Sequence, residues 1–244
     1  MPPQLGAAVL LRRRLPRLHR RLGSTASAAA FPAVTTTRRL DVPTGWRPEG
    51  SAAAAAAALD HIPLAMNDVY ALHEQLPYAY FFEETLSAEA LAASLERVLA
   101  AFPALGGRLC LESLGIALAE GDTVPLAIGH TDTPLEEWLA LGHGVDPLTG
   151  RPRLLALFDA LPEQPWSSDS PLARVRVTHM AGRGTCIGVN ISHAAADGAS
   201  CIRFVYCWGR QHRGLPFLVP ADNRAQVTAN GMLTPVSKND EFCI

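Results

Sequence analysis

The most constraining feature of the sequence is a change of hydrophobic period close to His193. Apolar and polar side chains alternate in two short runs, residues 175–178 and 187–191, and this period of two predicts half-buried strands. The segment 181–184 between them contains two glycines, so we expect a turn and an antiparallel pair. From Gly198 onwards the apolar residues recur at helical spacing. The sequence therefore predicts strand, turn, strand and helix, with His193 at the second junction.

The predicted helix has recognisable ends. Asp197 or Ser200 can cap its first amide groups, and Gly214 followed by Pro216 ends it. The residues expected on its buried face are Cys201, Phe204, Val205 and Trp208.

His193 and Asp197 form the candidate catalytic pair. An imidazole that titrates near neutrality can take a proton from an alcohol or amine while that group attacks a carbonyl. A carboxylate four residues later can hold the loop and the imidazole tautomer. The three alanines between the two are expected to leave room for a substrate, and Gly198 is expected to permit a tight turn. Alone, the spacing is a weak signal, because most histidines at strand ends are structural.

Upstream of this segment, the sequence predicts one helix and a series of short strands. Apolar residues at helical spacing predict a helix that Ser87 caps and that ends near Phe102. Short apolar stretches at residues 108–128 are separated by glycines, which predicts strands joined by turns. Residues 129–170 are rich in Pro, Gly, Asp and Ser and are expected to be mostly loop, with one short helix at 134–141.

The segment Ser192–Ser200 carries a family resemblance. Together with Phe204, Trp208 and the Arg-Gly pair at Arg213, it resembles the BAHD acyltransferases of plants, which have H-x-x-x-D-G-x-S, then F, then W-A-x-x-x-R-G at this spacing. Gly209 stands where the family usually has Ala. Further similar segments, in the family's order, are 59–81, 95–109, 171–178 and 220–224, so the resemblance covers about residues 35–225.

The resemblance implies an α/β fold with a chloramphenicol-acetyltransferase-like domain, a mixed β-sheet with flanking helices. It also implies that His193 is the general base for direct transfer from acyl-CoA, a co-substrate, to a hydroxyl or amine acceptor. Asp197 would be structural and would pair with an Arg from elsewhere, while Gly198, Ser200 and Trp208 support the motif. A route through Cys201 or Cys207 is less favoured, because both lie on the packing side of the predicted helix. No bound cofactor is expected.

Two alternatives stay open at this stage. The family's second signature, Asp-Phe-Gly-Trp-Gly, does not occur in the sequence, so the second domain is expected to be missing. The chain would then be a truncated, inactive half-protein that associates with a partner or with itself through its uncovered face. The other alternative is a condensing enzyme that takes its acyl group from a carrier protein. Ser192 argues against it, because such enzymes usually have two adjacent histidines.

Both ends of the chain are expected to lie outside the domain. Residues 1–34 are rich in Arg, Ala and Ser and contain no acidic residue, which is typical of a chloroplast or mitochondrial transit peptide. Without such a peptide the protein would be cytoplasmic. The Ala-rich run at 51–58 predicts a loop insertion or a short helix, and residues 226–244 are expected to be an unstructured tail.

Charge and cysteine spacing exclude several classes of function. The first 40 residues hold eight of the 21 basic residues, which leaves 13 basic against 23 acidic side chains in the remainder. An acidic body argues against nucleic-acid binding, since phosphate affinity comes from clustered Lys and Arg. The five cysteines form no C-x-x-C pair, so no metal site is expected. The chain contains no run of about 20 apolar residues, so no transmembrane segment is expected.

Overall fold

The structure is a computed structural model that describes residues 32–45, 47, 60–110, 112–141, 153–159 and 170–218. The predicted transit peptide up to residue 31, the Ala-rich run at 51–58 and the predicted tail lie outside these residues. The described elements are β1 (Thr35–Pro43), β2 (Asp60–Pro63), α1 (Met66–Tyr70), β3 (Gln75–Phe82), α2 (Ala88–Leu99), β4 (Arg108–Cys110), β5 (Gly115–Leu118), β6 (Thr123–Pro134), α3 (Leu135–Leu141), β7 (Ala173–Ala181), β8 (Thr185–Ser192) and α4 (Gly198–His212), with 3₁₀ turns at Pro103–Leu105 and Arg153–Leu157.

Five of the strands form one mixed sheet in the order β1-β6-β7-β8-β3. β6 and β7 are parallel, whereas the other neighbours are antiparallel. The remaining three strands form a small antiparallel sheet in the order β2-β5-β4. The α/β prediction with a mixed sheet is therefore confirmed, as is the β7–β8 hairpin.

Helices α2 and α4 pack on one face of the large sheet and share its main core. Ser87 caps α2 by accepting a hydrogen bond from the Ala90 amide at 3.2 Å, as expected. Phe102, after α2, makes an edge contact with Phe204 of α4, with ring centroids 5.3 Å apart. The residues that α2 and α4 bury are Ala88, Leu91, Ser94, Leu95, Val98, Leu99, Cys201, Phe204, Cys207 and Trp208. The helical period of each segment therefore corresponds to a real packing face.

The opposite face of the sheet is also covered, and here the prediction of half-buried strands is wrong. All eight residues of β8 are buried, and Arg176 and Thr178 of β7 are 8% and 0% exposed. A second apolar cluster covers this face, with Trp138 of α3 and Leu157 at its centre. The alternating side chains of β7 and β8 therefore face two covered sides of the sheet, and not the core on one side and solvent on the other.

β1 was not expected, and β6 is longer than expected. β1 is an edge strand with little apolar pattern because most of its side chains are exposed. β6 continues to Pro134, where a loop was predicted, and it pairs with β7 at Gly129, His130 and Pro134 with an irregularity between the last two. The short helix after Pro134 is confirmed as α3, while residues 142–152 and 160–169 of the predicted loop lie outside the described part of the chain. None of the described helices is long and apolar enough to cross a bilayer.

Candidate active site

The backbone at His193 is held on both sides by neighbouring strands. The Ser192 amide donates to the carbonyl of Leu172 at 2.8 Å, and the His193 amide donates to the carbonyl of Glu74 at 2.9 Å. Ser192 is buried and His193 is half-buried. The imidazole therefore leaves the sheet from a fixed point at the end of β8 while part of the residue stays accessible.

The three alanines after His193 lie in the helix-side core. Ala194, Ala195 and Ala196 are 0%, 7% and 8% exposed and belong to the cluster that α2 and α4 form with the sheet. The expectation that their small size leaves room for a substrate is therefore wrong. Their size instead lets the connection between strand and helix enter the packed interior, where a larger side chain would overpack it.

Asp197 is the cap of α4, which decides between the two caps considered from the sequence. Its Oδ1 accepts a hydrogen bond from the Ser200 amide at 2.8 Å. The Asp197 side chain is exposed, and no hydrogen bond joins it to the His193 ring among the described residues, nor does a described Arg form an ion pair with it. An Asp cap contributes roughly 0.5–2 kcal/mol to a helix, so the contact fixes where α4 begins.

Gly198 lies close to Tyr78 and leaves little space for a side chain. It does not adopt a left-handed conformation, so a tight turn that only glycine permits is not the reason for its presence. A Cβ at Gly198 would lie 3.2 Å from the Tyr78 hydroxyl oxygen. Burial, and secondarily Cys201 and Asp197, raise the pKa of Tyr78. Tyr78 is therefore a member of the site that the sequence did not single out, because it lies in β3, far from the motif in the chain.

A Gly198→Ala substitution should test this contact. We expect crowding against the tyrosine to destabilise the protein by about 1 kcal/mol, the low end of the usual cost of overpacking, measured by urea unfolding. The variant Gly198→Ala/Tyr78→Phe removes the hydroxyl and should recover part of the loss. Equal destabilisation in the presence and absence of the hydroxyl would contradict the role given to Tyr78.

Trp208 fixes α4 against α2 through a buried serine. Its indole N–H donates to Ser94 Oγ at 3.0 Å, and Ser94 Oγ also donates to the carbonyl of Leu91 at 2.9 Å. His212 Nδ1 lies 3.1 Å from the same oxygen. Trp208 and Ser94 are 2% and 0% exposed, so these bonds replace lost water contacts. Trp208 thus holds α4, the helix that Asp197 begins, against α2.

Burial disfavours the thiolate form of both cysteines of α4. Burial, with a smaller effect from Asp197, raises the pKa of the Cys201 thiol to about 12, and burial also raises the pKa of Cys207. The thiolate is the reactive form, so a covalent route through either residue is disfavoured. The described residues also contain no group of three His, Cys, Asp or Glu side chains able to hold a metal ion.

Comparison with known families identifies the family of the chain. The family described as "Transferase family" matches residues 52–242, which include every residue of the site. The chain belongs to this family, the BAHD acyltransferases. A hydroxycinnamoyltransferase of Narcissus pseudonarcissus is 27% identical over 155 residues, which cover 59% of this chain and 33% of that protein. A shikimate O-hydroxycinnamoyltransferase of Nicotiana tabacum is 26% identical over 151 residues, with the same two shares.

Solved structures of similar proteins have the same fold. The crystal structure of vinorine synthase aligns with a TM-score of 0.60 at 21% identity, covering 84% of this chain and 48% of that one. TRI101 of F. graminearum, crystallised with ethyl coenzyme A, aligns with a TM-score of 0.50 at 14% identity and covers 65% and 40%. The BAHD-like fold expected from the motif is confirmed. The chain spans about one third of the curated relatives and about half of vinorine synthase.

Proposed function

We propose that the protein transfers an acyl group from acyl-CoA to a hydroxyl or amine acceptor, with His193 as the general base. The observation that carries the proposal is the position of His193, a half-buried residue at the fixed end of β8. Coenzyme A is present in the TRI101 crystal structure, and this supports acyl-CoA as the donor. Hydroxycinnamoyl groups are the first donors to test, since the curated relatives are named for them.

In the proposed reaction, His193 takes the proton from the acceptor as its oxygen or nitrogen attacks the thioester carbonyl carbon. The tetrahedral intermediate then collapses, the carbon–sulfur bond breaks, and the imidazolium returns the proton to the leaving thiolate. The products are an ester or amide and free CoA, and no acyl-enzyme forms. Asp197 does not carry a proton in this scheme, because its role is to begin α4 and hold the loop.

Three further expectations from the sequence stay proposals. They are the domain limits at residues 35 and 225, self-association of the domain, and a chloroplast or mitochondrial location directed by residues 1–34. The comparisons give no support to the alternative of a non-catalytic half-protein, and Ser192 continues to argue against a carrier-protein donor.

The proposed function is tested by incubating the protein with hydroxycinnamoyl-CoA and a set of acceptors. These include shikimate and 5-hydroxyanthranilate, which occur in the names of relatives from Nicotiana tabacum and Avena sativa. We expect release of the CoA thiol that depends on the acceptor, together with a product of the mass of the ester or amide. Omission of the acceptor is the control for simple thioester hydrolysis. The proposal would be contradicted by thiol release at the same rate with and without the acceptor, or by the absence of product with every donor and acceptor.

A further inference from the structure

Three arginines converge on one carboxylate on the sheet face opposite α2 and α4. We call Arg39, Arg174 and Arg176 around Asp159 the arginine cluster. Arg39 of β1 makes two hydrogen bonds to Asp159, at 2.5 and 3.1 Å. Arg174 and Arg176 of β7 approach the same carboxylate to 3.7 and 3.6 Å. Three guanidinium groups from β1 and β7 thus surround the carboxylate of Asp159, which follows Leu157 in the chain.

The charges of the arginine cluster do not balance. Three guanidinium groups face one carboxylate, which leaves an excess of two positive charges among the described residues. Arg39, whose side chain is 53% exposed, holds both short bonds to Asp159, while the side chains of Arg174 and Arg176 are only 22% and 10% exposed. Arg174 and Arg176, whose side chains are the least exposed to water, therefore make the longest contacts to the carboxylate.

Hydrogen bonding at the arginine cluster is also incomplete. The Nε atoms of Arg174 and Arg176 are buried and have no hydrogen-bond partner within the described part of the chain. The Arg176 Nη1 donates to Thr36 Oγ1 at 3.0 Å, which satisfies one of its donors. Burial lowers the pKa of Arg176, although Asp159 acts in the opposite direction. A buried charged donor without an acceptor is costly, so an added acceptor at these Nε atoms would stabilise the arginine cluster.

A double negative charge with several oxygen acceptors would meet both requirements. Guanidinium groups bind phosphate through paired N–H···O bonds, and Arg is favoured wherever such planar recognition occurs. The half-exposed Arg39 marks the side from which such an ion could enter. We propose that the arginine cluster is a binding site for a phosphate dianion, either free or carried by a larger ligand. This site does not depend on acyl transfer.

The test is titration of the whole chain with inorganic phosphate at constant ionic strength, with sodium chloride as the balancing salt. Isothermal calorimetry should show saturable binding of one phosphate, and the melting temperature should rise with phosphate but not with chloride. CoA and dephospho-CoA, which lacks the 3′-phosphate, distinguish the two sources. Competition by CoA alone indicates a ligand-borne phosphate, whereas no competition by either indicates the free ion.

Variants make the test specific. Loss of one charged hydrogen-bonding group costs about 1.5–3 kcal/mol, so Arg176→Met should weaken phosphate binding by roughly tenfold to a hundredfold. Arg39→Gln changes a half-exposed residue and keeps the proposal testable if Arg176→Met does not fold. Arg203→Gln, an exposed arginine of α4, is the matched control and should bind as the unchanged protein does. Absence of phosphate binding, or equal weakening by Arg203→Gln and Arg39→Gln, would overturn the proposal.

Discussion

Replacing His193 with glutamine is expected to lower kcat for acyl transfer by roughly 10²–10⁴-fold, the usual contribution of a positioned general base. Glutamine has a similar size and can still form hydrogen bonds, but it cannot take a proton at neutral pH. The fold should survive, because the contact that fixes this position is made by the His193 backbone amide and not by its ring. The measurement is acceptor-dependent release of CoA, with circular dichroism to confirm folding.

The matched control is His130→Gln, the same chemical change at an exposed histidine of β6. It should leave kcat within about a factor of two, since surface substitutions away from the site have small effects. The KM for acyl-CoA should change little in His193→Gln, because general-base catalysis acts on the transition state. A His193→Gln variant with full activity would remove the basis for the proposed mechanism.

Replacing Gly188 with alanine is expected to destabilise the protein by about 1–3 kcal/mol, or more if the backbone cannot adjust. A Cβ at this position in β8 would press against the carbonyl oxygen of Leu157 and lie 3.2 Å from Cδ1 of Phe158. The nearest obstacle is backbone, which cannot swing aside as a side-chain tip does. The measurement is the free energy of unfolding in urea, and a fall in melting temperature of several degrees should accompany it.

Gly209 provides a control at which alanine is expected to have the opposite effect on the free energy of unfolding. It lies within α4, and a Cβ there would meet nothing within 4 Å. Gly209→Ala should therefore stabilise the protein by roughly 0.5–1 kcal/mol through helix propensity alone, and it introduces the residue that the family usually has at this position. If both substitutions shift the unfolding free energy by the same amount and sign, the packing described at Gly188 is incorrect.

The elements predicted correctly from the sequence are those whose signal is local. α2 and α4 bury one stripe each, and their caps are single residues, so period and capping chemistry suffice to find them. The β7–β8 hairpin is equally local, because a short turn joins its strands. His193 could be identified for the same reason, since the motif around it is a continuous segment.

The features that the sequence did not predict depend on contacts between residues that lie far apart in the chain. β1 is an exposed edge strand that is defined only by its pairing with β6. Tyr78 enters the site because β3 lies beside β8, and Arg39 reaches Asp159 across 120 positions. Polar side chains alternate with apolar ones along β7 and β8, and this pattern is equally compatible with a polar face exposed to water and with one covered by a second layer of residues. Only the tertiary structure decides between these.

The position of β8 between β7 and β3 has a consequence for synthesis of the protein. Gln75 pairs with Ser192, so β8, which carries His193 at its end, pairs with a strand that is synthesised more than one hundred residues earlier. Closing so long a loop is slow and costs entropy before any contact is gained. A growing chain therefore cannot assemble the site until residue 192 has left the ribosome. Hydrogen exchange during refolding should protect the amides of β8 late, together with those of β3.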